Sequence, residues 1–172
     1  MIGLARGEVK IAAHDASWAQ AFALEKELLE QIFGKNVVAI EHIGSTAVPG
    51  LSAKPIIDIE VGIARFADWP KLVPLAEKAG YIFMPDRVFV DYIFMPKGSD
   101  DCRTHYLHIT EYGSQEWYNV IHFRDILRTH TDVRKQYSTL KQSLAQTHPK
   151  RADYTAAKTE FIKHTLSSFN SV

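Results

Sequence analysis

Two apolar runs joined by a Gly- and Pro-rich segment make up the stretch EHIGSTAVPGLSAKPIIDIEVGI, from Glu41 to Ile63. The first run ends in Gly44-Ser45. The second carries Asp58 and Glu60, thirteen and fifteen positions past Ser45, interleaved with Ile57, Ile59 and Val61. Alternation of this kind is a strand pattern, and positions i and i+2 of a strand share one face. Asp58 and Glu60 therefore leave the sheet side by side, with the Gly-Ser turn placed to stand next to them. Burying two acids is costly unless they are paired or bound to a cation. Either their face is solvated or paired with Lys and Arg, or they hold a hard divalent ion. Mg²⁺ and Mn²⁺ prefer such oxygen ligands.

The rest of the chain supplies a framework. Residues 17–33 read as an amphipathic helix, with Ser17 as cap, Gln20 at the capping-box position and Gly34 as stop. Strands are expected at Val37–Ile43 and Ile56–Ile63, and a helix at Phe66–Ala79 complicated by Pro70 and Pro74. Three short strands follow, at Tyr81–Met84, Arg87–Met95 and Arg103–Thr110. In the last of these, Tyr106, His108 and Thr110 share a face. From Ser114 the period becomes 3.6, giving helices at 115–129, 132–146 and 151–168, the last two divided at Pro149. The expected class is α+β: one domain over 1–172, a mixed sheet with helices packed on one side, and a helical C-terminal section over it.

Several residues could carry chemistry around the acidic pair. Gly44 permits close backbone approach. Ser45 and Thr46 can donate hydroxyl bonds to phosphate, and a short helix after the turn would add N–H groups. His42 either reaches the same anion or is a half-buried histidine with a backbone partner. Lys54 is either a phosphate-binding charge or a solvated loop lysine. Arg124 sits on an apolar helical stripe with Trp117, Val120, Ile121 and Leu127. It is either paired with Asp125 or an acid of the sheet, or forks onto an anionic group of the ligand. Lys141 and Lys158 each follow a tyrosine four residues earlier, Tyr137 and Tyr154. They either pack their stems on those rings or line a positive cleft facing Asp58.

The totals narrow the field. Lys plus Arg and Asp plus Glu are 20 each, so no global basic field points to nucleic acid. The single Cys102 excludes an internal disulfide. No apolar run reaches the roughly 20 residues that span a bilayer, and the N-terminus lacks a signal-peptide core. The expectation is a cytoplasmic protein that does not enter the membrane.

Apolar–Gly-Ser, a dozen residues, then apolar–Asp–apolar–Glu resembles the signature of the nucleotidyltransferase superfamily, the DNA polymerase beta-like fold. The longer string HIGSTAVPGLSAKPIIDI is similar to the GrpB-like family, as are GY at 80–81, HYLHIT at 105–110 and FRDILR at 123–128. The resemblance implies a nucleotidyltransferase-like sheet, with Gly44 and Ser45 on phosphate and Asp58 and Glu60 on Mg²⁺ or Mn²⁺. It implies a small-molecule nucleotide or phosphorylated ligand, and transfer of NMP from a nucleoside triphosphate to an acceptor. The superfamily's third carboxylate is replaced here: His108 stands at the corresponding strand position, with Asp91 as a weaker substitute. A non-catalytic ligand-binding domain of the same fold is the alternative. GrpB-like domains also occur fused to dephospho-coenzyme A kinases, which suggests a tie to coenzyme A metabolism.

Overall fold

The computed structural model describes residues 2–147 and 151–169. The expected break at Pro149 and the expected packing of Lys158 on the Tyr154 ring lie outside the described residues and side chains. A four-stranded mixed sheet forms the centre, in spatial order β1-β2-β4-β3. β1 is Ala39–Ile43, β2 Ile57–Ile63, β3 Tyr92–Ser99 and β4 Cys102–Glu111. β1 runs antiparallel to β2, β2 parallel to β4, and β3 antiparallel to β4.

Register divides the side chains between two faces. Ile57, Ile59, Val61 and Ile63 of β2 face the core, beside Leu107 and Ile109 of β4 and Ile93 and Met95 of β3. Helix α1 (Ser17–Phe33) covers this face with Trp18, Leu29 and Phe33, and α2 (Val73–Lys78) adds Ala76. The opposite face carries Asp58, Glu60 and Gly62 of β2, aligned with Tyr106, His108 and Thr110 of β4. Over it lie α3 (Gln115–Thr129), α4 (Thr131–Thr147) and α5 (Arg151–Phe169). Gly62 lets α3 approach: a Cβ there would stand 2.8 Å from the Trp117 ring. The helices thus occupy both faces, α1 and α2 on one and the C-terminal section on the other.

Four local expectations are corrected. Tyr81–Met84 is no strand; Tyr81 makes one bridge to Lys97, and Ile82 N–H donates to Pro96 O at 2.8 Å. The Arg87–Met95 strand begins only at Tyr92 and runs on through Pro96 and Gly98. Pro96 is tolerated because β3 is an edge strand, and the register shift between Lys97 and Gly98 is a bulge. The Phe66–Ala79 helix is split into a 3-10 turn at Phe66–Lys71 and α2, as Pro70 and Pro74 each remove a helical donor. At the start of α1 the cap comes from Asp15, whose Oδ1 accepts from Ser17 N–H at 2.9 Å, and not from Ser17. Ser114 does cap α3, accepting from Trp117 N–H at 3.2 Å.

Candidate functional site

The Gly44-Ser45 turn and the acidic face of β2 meet directly. Gly44 has φ 68° and ψ −172°, and a Cβ at this position would lie 2.5 Å from Asp58 Oδ2. Only glycine lets the turn rest on that carboxylate. The turn that follows, Ser45–Ala47, is three residues of 3-10 helix. It is too short to present the anion-binding helix terminus that the sequence allowed for, so hydroxyl and lysine groups must hold any phosphate.

Lys141 of α4 supplies one of them. Its side chain is 2% exposed, and Nζ donates to Ser45 Oγ at 3.0 Å and to Ser52 O at 2.5 Å. The ammonium also sits 4.8 Å from the centre of the Tyr137 ring, so stem packing and contact with the turn occur together. Burial pushes its pKa down to about 7, and Lys158 nearby pushes the same way. A cleft of about 220 Å³ opens here, lined by Ser45, Lys54, Asp58, His108, Lys141 and Lys158. Phe94 and Tyr106 form an aromatic wall to it, their ring centres 5.0 Å apart.

The two strand acids differ in surroundings. The Asp58 side chain is 30% exposed and opens on the cleft, with His108 Nε2 at 3.8 Å from Oδ1. Glu60 is 1% exposed and accepts from Thr110 Oγ1 at 2.7 Å. Burial raises its pKa to about 7, against the opposing pull of His108 and Thr110. For His108, burial opposes the charge, but the nearby carboxylates of Asp58, Glu60 and Glu116 outweigh burial and raise its pKa. The same neighbours that raise its pKa favour the protonated imidazole beside Asp58. His108 lies directly opposite Glu60 in the parallel β2–β4 pair, on the face shared with Tyr106 and Thr110 as its strand parity implied.

Among the described residues no group of three or more His, Cys, Asp or Glu side chains is placed to hold a metal ion. The donor set does not fit a pair of metal ions held by protein alone. It does fit a single hard cation on Asp58 whose other ligands are phosphate oxygens, the usual way Mg²⁺ is bound.

Two of the expected phosphate-binding residues are engaged elsewhere. His42 lies on the opposite sheet face, in register with Ile59, stacked on Phe22 with ring centres 4.6 Å apart. Its Nε2 is 3.0 Å from Thr46 Oγ1, which ties the buried Thr46 hydroxyl to the strand. Burial lowers the His42 pKa to about 4, so it is neutral. Arg124 is 8% exposed and takes the paired alternative. It bonds Asp125 at 2.8 and 3.2 Å, Glu41 at 2.7 Å and His42 O at 3.1 Å. Together with Arg128, which donates to Ala47 O at 3.0 Å, it clamps α3 to both ends of the turn. Asp91 is exposed and precedes β3.

Residues 8–168 match the family model described as GrpB protein. The chain belongs to the GrpB family. It is 37% identical over 173 residues to the glutamate-rich protein GrpB of Alkalihalophilus pseudofirmus, covering 97% of this chain and 99% of that one. It is 34% identical to the UPF0157 protein YqkA of Bacillus subtilis, of which it spans 46%. The crystal structure of the conserved protein GrpB from Enterococcus faecalis superposes with a TM-score of 0.81 at 33% identity, covering 93% of this chain and 99% of that chain. A dephospho-CoA kinase of Mycolicibacterium paratuberculosis is 34% identical over only 82 residues, 20% of its length. No helix among the described residues is long and apolar enough to cross a membrane.

The candidate site also holds residues that lie outside the motifs. Glu116 and Asn119 of α3 line a second cavity beside Asp58 and His108. Glu116, Val120 and Arg124 are spaced by four, so the stripe already recognised at Val120 and Arg124 extends back to Glu116. Phe94 and Tyr106 required the pairing of β3 with β4 to be known.

Proposed function

We propose that the cleft binds a nucleoside triphosphate together with one Mg²⁺ or Mn²⁺, and transfers its NMP group to an acceptor hydroxyl, on a sheet of the nucleotidyltransferase type. The observation that carries this reading is the meeting of Ser45 Oγ, Lys141 Nζ and the Asp58 carboxylate around one opening. Ser45, Lys54, Lys141 and Lys158 hold the phosphates, and the Phe94–Tyr106 wall offers ring faces to the base. Asp58 would carry the cation, with Glu60 behind it. The ion, when bound, draws charge from the phosphates and lowers the barrier to attack. The acceptor oxygen attacks the α-phosphorus, the bond from that phosphorus to the bridging oxygen breaks, pyrophosphate leaves and the hydroxyl proton goes to solvent. His108, 3.8 Å from Asp58 Oδ1, stands where its protonated form balances the negative charge gathered there.

A second reading, binding without turnover, is favoured by the absence of a three-acid group among the described residues. Both readings place the ligand in the same cleft, of the same chemistry. The partial likeness to a dephospho-CoA kinase adds coenzyme A precursors to the phosphorylated ligands to be screened.

The test is calorimetric titration of ATP with and without Mn²⁺ into the wild type and Asp58→Asn. Mn²⁺ binding in the wild type is expected only with nucleotide present. Asp58→Asn should weaken that binding at least about 100-fold, as loss of a charged ligand implies, while nucleotide alone still binds. Unchanged Mn²⁺-dependent affinity in a folded Asp58→Asn protein rejects Asp58 as the cation ligand. Pyrophosphate release then separates transfer from simple binding.

A further inference from the structure

A second cavity, of about 460 Å³, adjoins the lysine cleft and differs from it in character. The two share one wall: Ser45, Asp58, His108 and Lys158 line both. Beyond that wall the lining is largely apolar, from Val120, Phe123 and Leu127 of α3 and Ile162 and Leu166 of α5. Its floor belongs to a separate buried cluster of Val48, Leu51, Leu127 and Tyr137, so the cavity is backed by packed side chains. Glu116 and Asn119 stand near the shared wall on the α3 side. A pocket of this size, apolar at depth and polar at one end, is of the kind that orients a small ligand. Arg124 and Lys163 also line it, Arg124 with its charge already met by Asp125 and Glu41, while the depth between Val120, Phe123 and Ile162 suits hydrocarbon and disfavours a charged group.

We propose that this second cavity seats the acceptor: a small amphipathic alcohol, its hydrocarbon part between α3 and α5 and its hydroxyl at the Asp58–His108 wall. The assignment rests on the nucleotide reading of the lysine cleft. It gives the transfer a direction, since the phosphate chain and the acceptor oxygen meet across four shared residues. The alcohol oxygen forms the new bond to the α-phosphorus, pyrophosphate leaves on the lysine side, and the alcohol proton passes to water. It also gives α5 a function beyond packing, as one wall of a substrate chamber.

The probe is a series of primary alcohols, 1-butanol, 1-hexanol and 1-octanol, titrated into the ¹⁵N-labelled full chain and followed by amide shifts. The shifts are expected to concentrate at 119–127 and 159–166. Affinity should rise roughly fourfold per added methylene, the factor for burying one CH₂. ATP should bind alongside the alcohol without displacing it. Val120→Asn and, independently, Ile162→Asn should each weaken octanol about tenfold, with thermal melts reporting whether each variant is folded. Three results overturn the acceptor assignment while leaving the nucleotide reading intact: affinity independent of chain length, shifts outside these two helices, or displacement of octanol by ATP. A chain that binds octanol there but binds no nucleotide overturns the nucleotide reading and the acceptor assignment with it.

Discussion

Gly44→Ala is expected to destabilise the protein by about 3 kcal/mol and to abolish ligand binding. Two causes add. Gly44 has φ 68° and ψ −172°, a region that side-chain-bearing residues rarely enter. The new methyl would also stand 2.5 Å from Asp58 Oδ2 and 3.0 Å from Asp58 Cβ. The carboxylate would have to leave its place, and the site would lose the geometry between turn and acid. For a chain of this size the thermal midpoint should fall by about 10 °C. Gly50→Ala is the control. Gly50 also has positive φ, at 77°, but nothing lies within 4 Å of a Cβ there. It should show the backbone cost alone, and the difference between the two melts isolates the contact with Asp58. Equal melts, or ATP binding unchanged in Gly44→Ala, would remove Gly44 from the account.

Lys141→Met should remove most of the affinity for a triphosphate, roughly 100-fold, as expected for a buried charge facing an anion. The wild type should also show a pH dependence that this variant largely lacks. Lys141 has its pKa pushed to about 7 by burial, with Lys158 acting in the same direction. Among the described residues its ammonium touches Ser45 Oγ, Ser52 O and the Tyr137 ring, and it shares the cleft with Lys54, Asp58 and His108. An anion prefers the protonated form, so ATP affinity should fall about tenfold or more between pH 7 and pH 9. Stability moves the other way. Between about 7 and the ordinary lysine value the folded chain binds fewer protons than the unfolded one, so the stability cost of burying Lys141 is full below pH 7 and is relieved as pH rises through that window. Lys141→Met should be the more stable protein below pH 7 and should bind ATP with a much flatter profile from pH 7 to 9, Glu60 being left to titrate near 7. A wild type whose ATP affinity is equally flat would place Lys141 outside the ligand site.

The acidic face was legible because strand parity is local. Asp58 and Glu60 follow from one alternating run. The parity of Tyr106, His108 and Thr110 was equally plain, and parallel pairing then set His108 opposite Glu60. The helices after Ser114 were legible from their period, and Ser114 from its cap. What failed was governed by neighbours distant in sequence. Pro96 and Gly98 look like strand breakers, but an edge position and a bulge absorb both. His42 faces the core because its register with Ile59 puts it there, which no motif at 42–46 records. The bond from Lys141 to Ser45 spans 96 positions, and the period of α4 says only that one of its faces is buried. The choice between a paired and a ligand-binding Arg124 likewise depended on Glu41 being within 2.7 Å.

The central claim is that one opening holds both a phosphate group and a divalent cation, between the Gly44-Ser45 turn and β2. Crystals soaked with a non-hydrolysable nucleoside triphosphate analogue and Mn²⁺ test it most directly, because manganese can be located by its anomalous scattering. The account predicts a single manganese peak at the Asp58 carboxylate and phosphate oxygens within hydrogen-bond distance of Ser45 Oγ and Lys141 Nζ. Analogue bound with its phosphates away from Ser45 and Lys141, or manganese away from Asp58, would contradict it.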